Sequence, residues 1–118
     1  MQNLNVERAY LEASIYLPML LIVLEKDHTL FEMGEFKLKG PYLHLIDDAR
    51  TCIEADLKRA KAYLMENNIK VIRAEKDDLF TEYHVHFANT VEVRRYSNIR
   101  LRNHSEKLLK AYIRKTIQ

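Results

Sequence analysis

The hydrophobic pattern of the chain changes period after Asn68 and again near Ser97, and these changes divide it into elements. From Val6 to Phe31 the positions Val6, Ala9, Tyr10, Ala13, Leu17, Leu20, Leu21, Leu24, His28 and Phe31 recur at helical spacing, with Asn3 or Asn5 as the cap. Leu11, Ile15, Met19, Ile22, Val23 and Leu30 add a second apolar face, so the run Ile15 to Leu24 is apolar nearly all round. Pro18 lacks the N–H that would bond the Ser14 carbonyl. It either kinks this helix or begins a fresh one; the kink is preferred, with Ser14 helping to satisfy the freed backbone group. Met33 and Gly34 end the pattern, and Glu35 to Lys39 is a connector. Tyr42, Leu45, Ile46, Ala49, Ile53, Leu57, Ala60 and Leu64 predict a second helix from about Pro41 to about Glu66, roughly 40 Å long, with Asn67 and Asn68 as left-handed caps.

Beyond Asn68 the period falls to two. Ile69 to Ala74 reads as a short strand, Lys76 to Asp78 as a turn, and Phe80 to Phe87 as a strand with Thr81, Tyr83, Val85 and Phe87 on one face. Val91 to Tyr96 alternates next. A two-residue loop would set His86 against Val91 and Val85 against Glu92, mixing the faces. A three-residue loop, Ala88 to Thr90, sets Phe87 against Val91, Val85 against Val93, His86 against Glu92 and His84 against Arg94, and is the register expected from apolar matching. Ser97 or Asn98 then caps a third helix with Ile99, Leu101, Leu108, Leu109, Tyr112 and Ile113 as inward candidates.

The predicted fold is α+β: two long N-terminal helices, a small antiparallel two- or three-stranded sheet and a C-terminal helix, in a single domain over residues 1–118. So small a sheet must be covered on its apolar face, and the helix carrying Ile15 to Leu24 is the natural cover. Its second face, Ile15, Met19, Ile22 and Val23, is then the candidate interface of a homodimer or a protein partner. Burial of those side chains by the last helix would remove that support.

Composition narrows the alternatives. The apolar run is about half the ~20 residues a membrane helix needs and is flanked by Glu12, Glu25, Lys26 and Asp27, so no membrane role is expected. Glu7 and Glu12 precede it in place of a basic signal-peptide segment. Cys52, the only cysteine, forms no internal bridge and fits a reducing, cytoplasmic setting. The net charge is +2, but from Val91 onward there are eight basic and two acidic side chains, a net of +6, leaving −4 for the first ninety residues. That asymmetry points to an acidic partner or to complementarity within the chain or a dimer.

The segments FKLKGPY at Phe36 to Tyr42, NIKV at Asn68 to Val71, DDLFTEY at Asp77 to Tyr83 and YSNIRLRN at Tyr96 to Asn103 resemble a group of small uncharacterised proteins of Bacillus-type bacteria. The resemblance implies a cytoplasmic bacterial protein and transfers no activity, cofactor or site. The segments coincide with a helix start, strand starts and the entrance to the last helix, where scaffold residues belong.

Two constellations carry possible chemistry. Glu82, His84 and His86 place two imidazoles and a carboxylate on one strand face, a partial ligand set for zinc or another transition metal, with Glu92 across from His86 in the expected register. The same pattern describes the solvated face of an antiparallel sheet, and Arg94 opposite His84 disfavours a second cation. Arg94, Arg95, Arg100, Arg102 and Lys107, interleaved with Tyr96, suit phosphate contacts of a nucleic acid, although no recognition motif is present. Their alternative is a solvated helix face balanced by Asp47, Asp48, Glu54 and Asp56 of the second helix.

No glycine-rich phosphate loop is present, Asp77 and Asp78 are adjacent and suit a turn, and Ser14, Ser97 and Ser105 lack a nucleophile elbow. No catalytic residue and no cofactor is therefore assigned. The expected function is a non-catalytic association or regulatory module, with nucleic-acid binding through the basic C-terminal segment as the alternative.

Overall fold

The computed structural model describes residues 4–117. The elements run α1 (Leu4–Met33), α2 (Lys39–Glu66), β1 (Lys70–Lys76), β2 (Phe80–His86), β3 (Val91–Ser97) and α3 (Asn98–Ile117). This is the α+β order expected from the periodicity, with three antiparallel strands in the order β1-β2-β3. Asn3, one of the two proposed caps of α1, lies outside the described residues.

α1 runs unbroken through Pro18, so the proline begins no fresh helix. The Ser14 hydroxyl donates to the Leu11 carbonyl at 2.7 Å, a bond inside the helix and not the expected relief of the group freed by the proline. α1 and α2 form a long hairpin whose core is Leu17, Leu20 and Leu24 against Ile46, Ala49, Ile53 and Leu57. Its turn is held by Phe31, Phe36 and Tyr42, whose ring centroids lie 5.0 to 5.9 Å apart. Lys39 Nζ donates to the Glu32 carbonyl at 2.7 Å, satisfying an acceptor that the end of α1 leaves open.

α2 ends in a Schellman motif. Asn68 takes the left-handed conformation (φ 55°), the Ile69 N–H donates to the Leu64 carbonyl at 2.8 Å and the Asn68 N–H to the Met65 carbonyl at 3.2 Å. Leu64 and Ile69 then join Leu11 and Val85 in a second apolar cluster, which sets the angle at which the chain enters the sheet.

The sheet lays Thr81, Tyr83 and Val85 of β2 inward, as the alternation predicts. The expected β2–β3 register does not form. His86 pairs with Val91, Val85 with Glu92, His84 with Val93 and Tyr83 with Arg94, and the Phe87 N–H donates to the Thr90 carbonyl at 2.8 Å, closing a two-residue loop. The physical reason is at the other end of β3. Tyr96 packs edge-on against Tyr83 (5.9 Å) and Tyr16 (6.4 Å), and Val91 and Val93 share the opposite parity. Turned inward, Tyr96 gains two aromatic neighbours on top of its buried area, and the strand leaves Val91 and Val93 55% and 57% exposed.

α3 is capped by Ser97, whose hydroxyl accepts the Arg100 N–H at 3.1 Å. Asn98 instead ties the helix to the β1–β2 turn: its amide donates to the Asp77 carbonyl and its side-chain oxygen accepts from the Thr81 hydroxyl at 2.6 Å. Leu101 is buried, while Ile99, proposed as inward, is 72% exposed.

Candidate functional site

The two edges of the sheet are built differently. Along β1 the register shifts between Arg73 and Glu75, leaving Ala74 as a bulge, and lysines stand at both ends of the strand, Lys70 and Lys76. Bulges and edge lysines are the usual protection against pairing with another strand. β3 has neither device. Its seven residues pair with β2 without interruption, its other edge bonds to no strand among the described residues, and Val91, Glu92, Val93 and Arg95 are exposed.

Glu92 and Arg94 share the inward face of β3, and Arg94 Nε donates to Glu92 Oε1 at 3.0 Å. Burial opposes the Arg94 charge, but hydrogen bonding and charge attraction to Tyr96 and Glu92 together outweigh it and raise the pKa, so the guanidinium stays charged at the edge. A strand presenting opposite charges two residues apart on one face is complementary to itself run antiparallel. If Val93 faces Val93 of a second copy across a twofold axis, Glu92 of each copy faces Arg94 of the other. In the sequence Glu92 suits a metal ligand and Arg94 a phosphate contact; the V-E-V-R alternation also carries this charge complementarity.

The proposed metal residues share the outer face of β2, with His84 Nε2 3.9 Å from Glu82 Oε2. Glu92 is not across from His86, because the register turns it inward beside Val85, so that suggested fourth group is withdrawn. Among the described residues no group of three or more His, Cys, Asp or Glu stands together in metal-holding geometry.

The basic cluster is divided by the fold. Arg94 and Arg95, adjacent on a strand, point to opposite faces; Arg94 pairs with Glu92, and Arg95 lies 4.1 Å over the Phe80 ring on the outer face. Arg100, Arg102 and Lys107 of α3 are exposed and have no ion pair among the described residues. The expected balance with the acidic residues of α2 takes another form. Tyr112 donates to Asp56 Oδ2 at 2.6 Å, Arg59 bonds the other oxygen of that carboxylate, and Asp47 faces His28 at 3.4 Å.

The proposed α1 interface is taken apart by the chain's own packing. Ile15 is 2% exposed, packed with Tyr16, Tyr83 and Leu101, and Met19 lies against this group with its sulfur accepting weakly from the Tyr83 hydroxyl at 3.9 Å. The last helix and the sheet thus cover half of the face reserved for a partner; Ile22 and Val23 remain exposed. Met19 and Val23 line a cleft of about 580 Å³ between α1, the start of the sheet and α3.

No helix among the described residues is long and apolar enough to cross a membrane. Comparison with known proteins bears out the resemblance to small uncharacterised proteins of Bacillus-type bacteria. The model of a family described as "YhjD protein" matches residues 3–117. An uncharacterised YhjD protein of Bacillus subtilis (strain 168) is 30% identical over 103 residues, covering 87% of this chain and 86% of the relative. No solved structure matches. The chain therefore belongs to the YhjD family, a family of small uncharacterised bacterial proteins.

Proposed function

We propose that the protein is a non-catalytic association module of the bacterial cytoplasm that self-associates by pairing β3 with β3 of a second copy, joining two sheets into one of six strands. The observation that carries this reading is the contrast between the bulged, lysine-flanked β1 edge and the uninterrupted β3 edge, whose inward charges Glu92 and Arg94 are complementary to a second copy run antiparallel. Edge pairing supplies main-chain hydrogen bonds, and the Glu92–Arg94 crossing supplies register. It also reduces the exposure of Val93, the residue on the axis.

Reversal of one charge should disrupt the pair, because Glu92→Arg would face Arg94 of the second copy. Arg94→Glu should disrupt it for the converse reason, and the double variant E92R/R94E should restore it. Light scattering on the four proteins reads this directly: a dimer for the parent and the double variant, monomers for the single variants. Equal masses for all four would overturn the pairing.

A second reading, nucleic-acid binding, is favoured by Arg100, Arg102 and Lys107 on α3, which have no ion pair among the described residues. Its test is retention of DNA or RNA at ~50 mM salt with a steep loss as salt rises. Charge reversal at Arg100 and Arg102 should abolish retention, and no retention of the parent protein would end this reading.

A further inference from the structure

The cleft between α1, the sheet and α3 contains no β3 residue, so it stands apart from the proposed pairing edge. Its volume, about 580 Å³, lies inside the roughly 300–1,000 Å³ range of small-molecule sites. Met19, Leu20, Val23, Leu101 and Leu109 give it an apolar wall.

The sheet side is cationic, and the bulge at Ala74 is the cause. Residues three apart on a regular strand point to opposite faces. The extra residue brings Lys76 to the same side as Arg73: Arg73 pairs with Tyr83 and Lys76 with Thr81, both buried inward-facing residues. Arg73 and Lys76 therefore border one cleft, with Arg102 joining them from α3. None of the three has a carboxylate within ion-pairing distance among the described residues.

Two hydroxyls complete the wall. Tyr83 is 6% exposed, burial raises its pKa against the opposing Arg73 charge, and among the described residues its O–H has only the Met19 thioether, a poor acceptor. The Ser105 hydroxyl oxygen is shielded from solvent without a hydrogen-bond partner among the described residues. Buried polar groups left this lightly engaged beside a cavity are free to donate to a ligand there. Asp27 and Glu106 also line the cleft, leaving a net of one positive charge over its five ionic groups. That balance suits one negative charge and disfavours a polyphosphate, which the two carboxylates would repel.

We propose that this cleft binds a monocarboxylate carried on an unbranched apolar body. The carboxylate sits against Arg73, Lys76 and the Tyr83 hydroxyl, and the body lies along Met19, Val23 and Leu101. Binding involves no covalent step.

Calorimetric titration of the full chain with decanoate, decanol and decyltrimethylammonium tests it. Saturable one-to-one binding of decanoate is expected, with decanol bound about tenfold more weakly and the cation not at all. Arg73→Gln with Lys76→Gln, both at exposed positions, should weaken decanoate about tenfold while leaving decanol unchanged. Val23→Glu, which places a charge on the apolar wall, should weaken decanoate as well, and Arg114→Gln on the far part of α3 should have no effect. Absence of saturable binding at ~1 mM decanoate, equal affinity for decanol, or indifference to the Arg73 and Lys76 substitutions would overturn the proposal. Because none of these substitutions touches β3, the mass measured in the same samples reports on self-association separately.

Discussion

Asp77 and Tyr112 anchor α3 from opposite ends, and they lose hold in opposite pH ranges. The Asp77 carboxylate accepts the N–H groups of Phe80 and Leu79 at 2.7 and 2.8 Å, and these bonds hold its pKa below the usual carboxylate value. A depressed pKa contributes stability that is present above the unfolded value near 4 and is lost as pH falls through the folded one. Asp77→Ala should therefore lower Tm at neutral pH and flatten the acid limb of a Tm-against-pH curve; an unchanged acid limb would count against this turn as its source. For Tyr112, burial first and then the hydrogen bond to Asp56 push the phenol well above its ordinary value near 10. A raised pKa contributes stability that is complete below the unfolded value and lost as pH rises through the folded one. Tyr112→Phe should cost about 1 kcal/mol at pH 7, since the bond is only partly buried, and should remove this phenol's share of the stability lost above about pH 10. Urea unfolding at pH 7 and at pH 10.5 reads both.

At the scale of elements, the hairpin and the cap at the end of α2 set the frame on which the sheet hangs. Ile53 is fully buried between α1 and α2, and Ile53→Ala should cost roughly 2–5 kcal/mol in urea unfolding through the cavity it leaves. Asn68→Val, which forces a β-branched residue into the left-handed region, should cost about 1–2 kcal/mol, whereas Asn68→Gly should be close to neutral. These elements were legible in the sequence because their period is long: α1 and α2 each repeat their apolar stripe over seven or more turns, and Asn68 follows directly on the last repeat. The β2–β3 register was not legible in the same way. Matching Val85 with Val93 is a local criterion, and what decides the pairing is Tyr96, whose partners Tyr83 and Tyr16 come from another strand and from α1. The same holds for the α1 face. Periodicity identified Ile15, Met19, Ile22 and Val23 as apolar, but which of them stay exposed depends on where Leu101 and Tyr83 arrive. The Ala74 bulge left no mark in the alternation, which ends the strand at Ala74 and puts Lys76 in the turn, whereas β1 runs on to Lys76.

Seen whole, the molecule is a slab of 56 × 34 × 18 Å, with the helical hairpin and α3 on one side of a sheet whose other side carries Ile72, His84 and Val93 in one cross-strand row. Its free edge and its cleft are separate features: the first is proposed to select a second copy, the second a small anionic ligand. Self-association through the edge is the claim with the largest structural consequence, because it determines the shape the protein presents to anything else. Sedimentation equilibrium of the untagged chain over a concentration series up to about 100 µM, which captures even an interface of about −5 kcal/mol, tests it most directly. The expected weight-average mass rises toward twice 14.1 kDa, and Val93→Lys holds it at the monomer value. A parent protein that stays at 14.1 kDa across the whole series would contradict it.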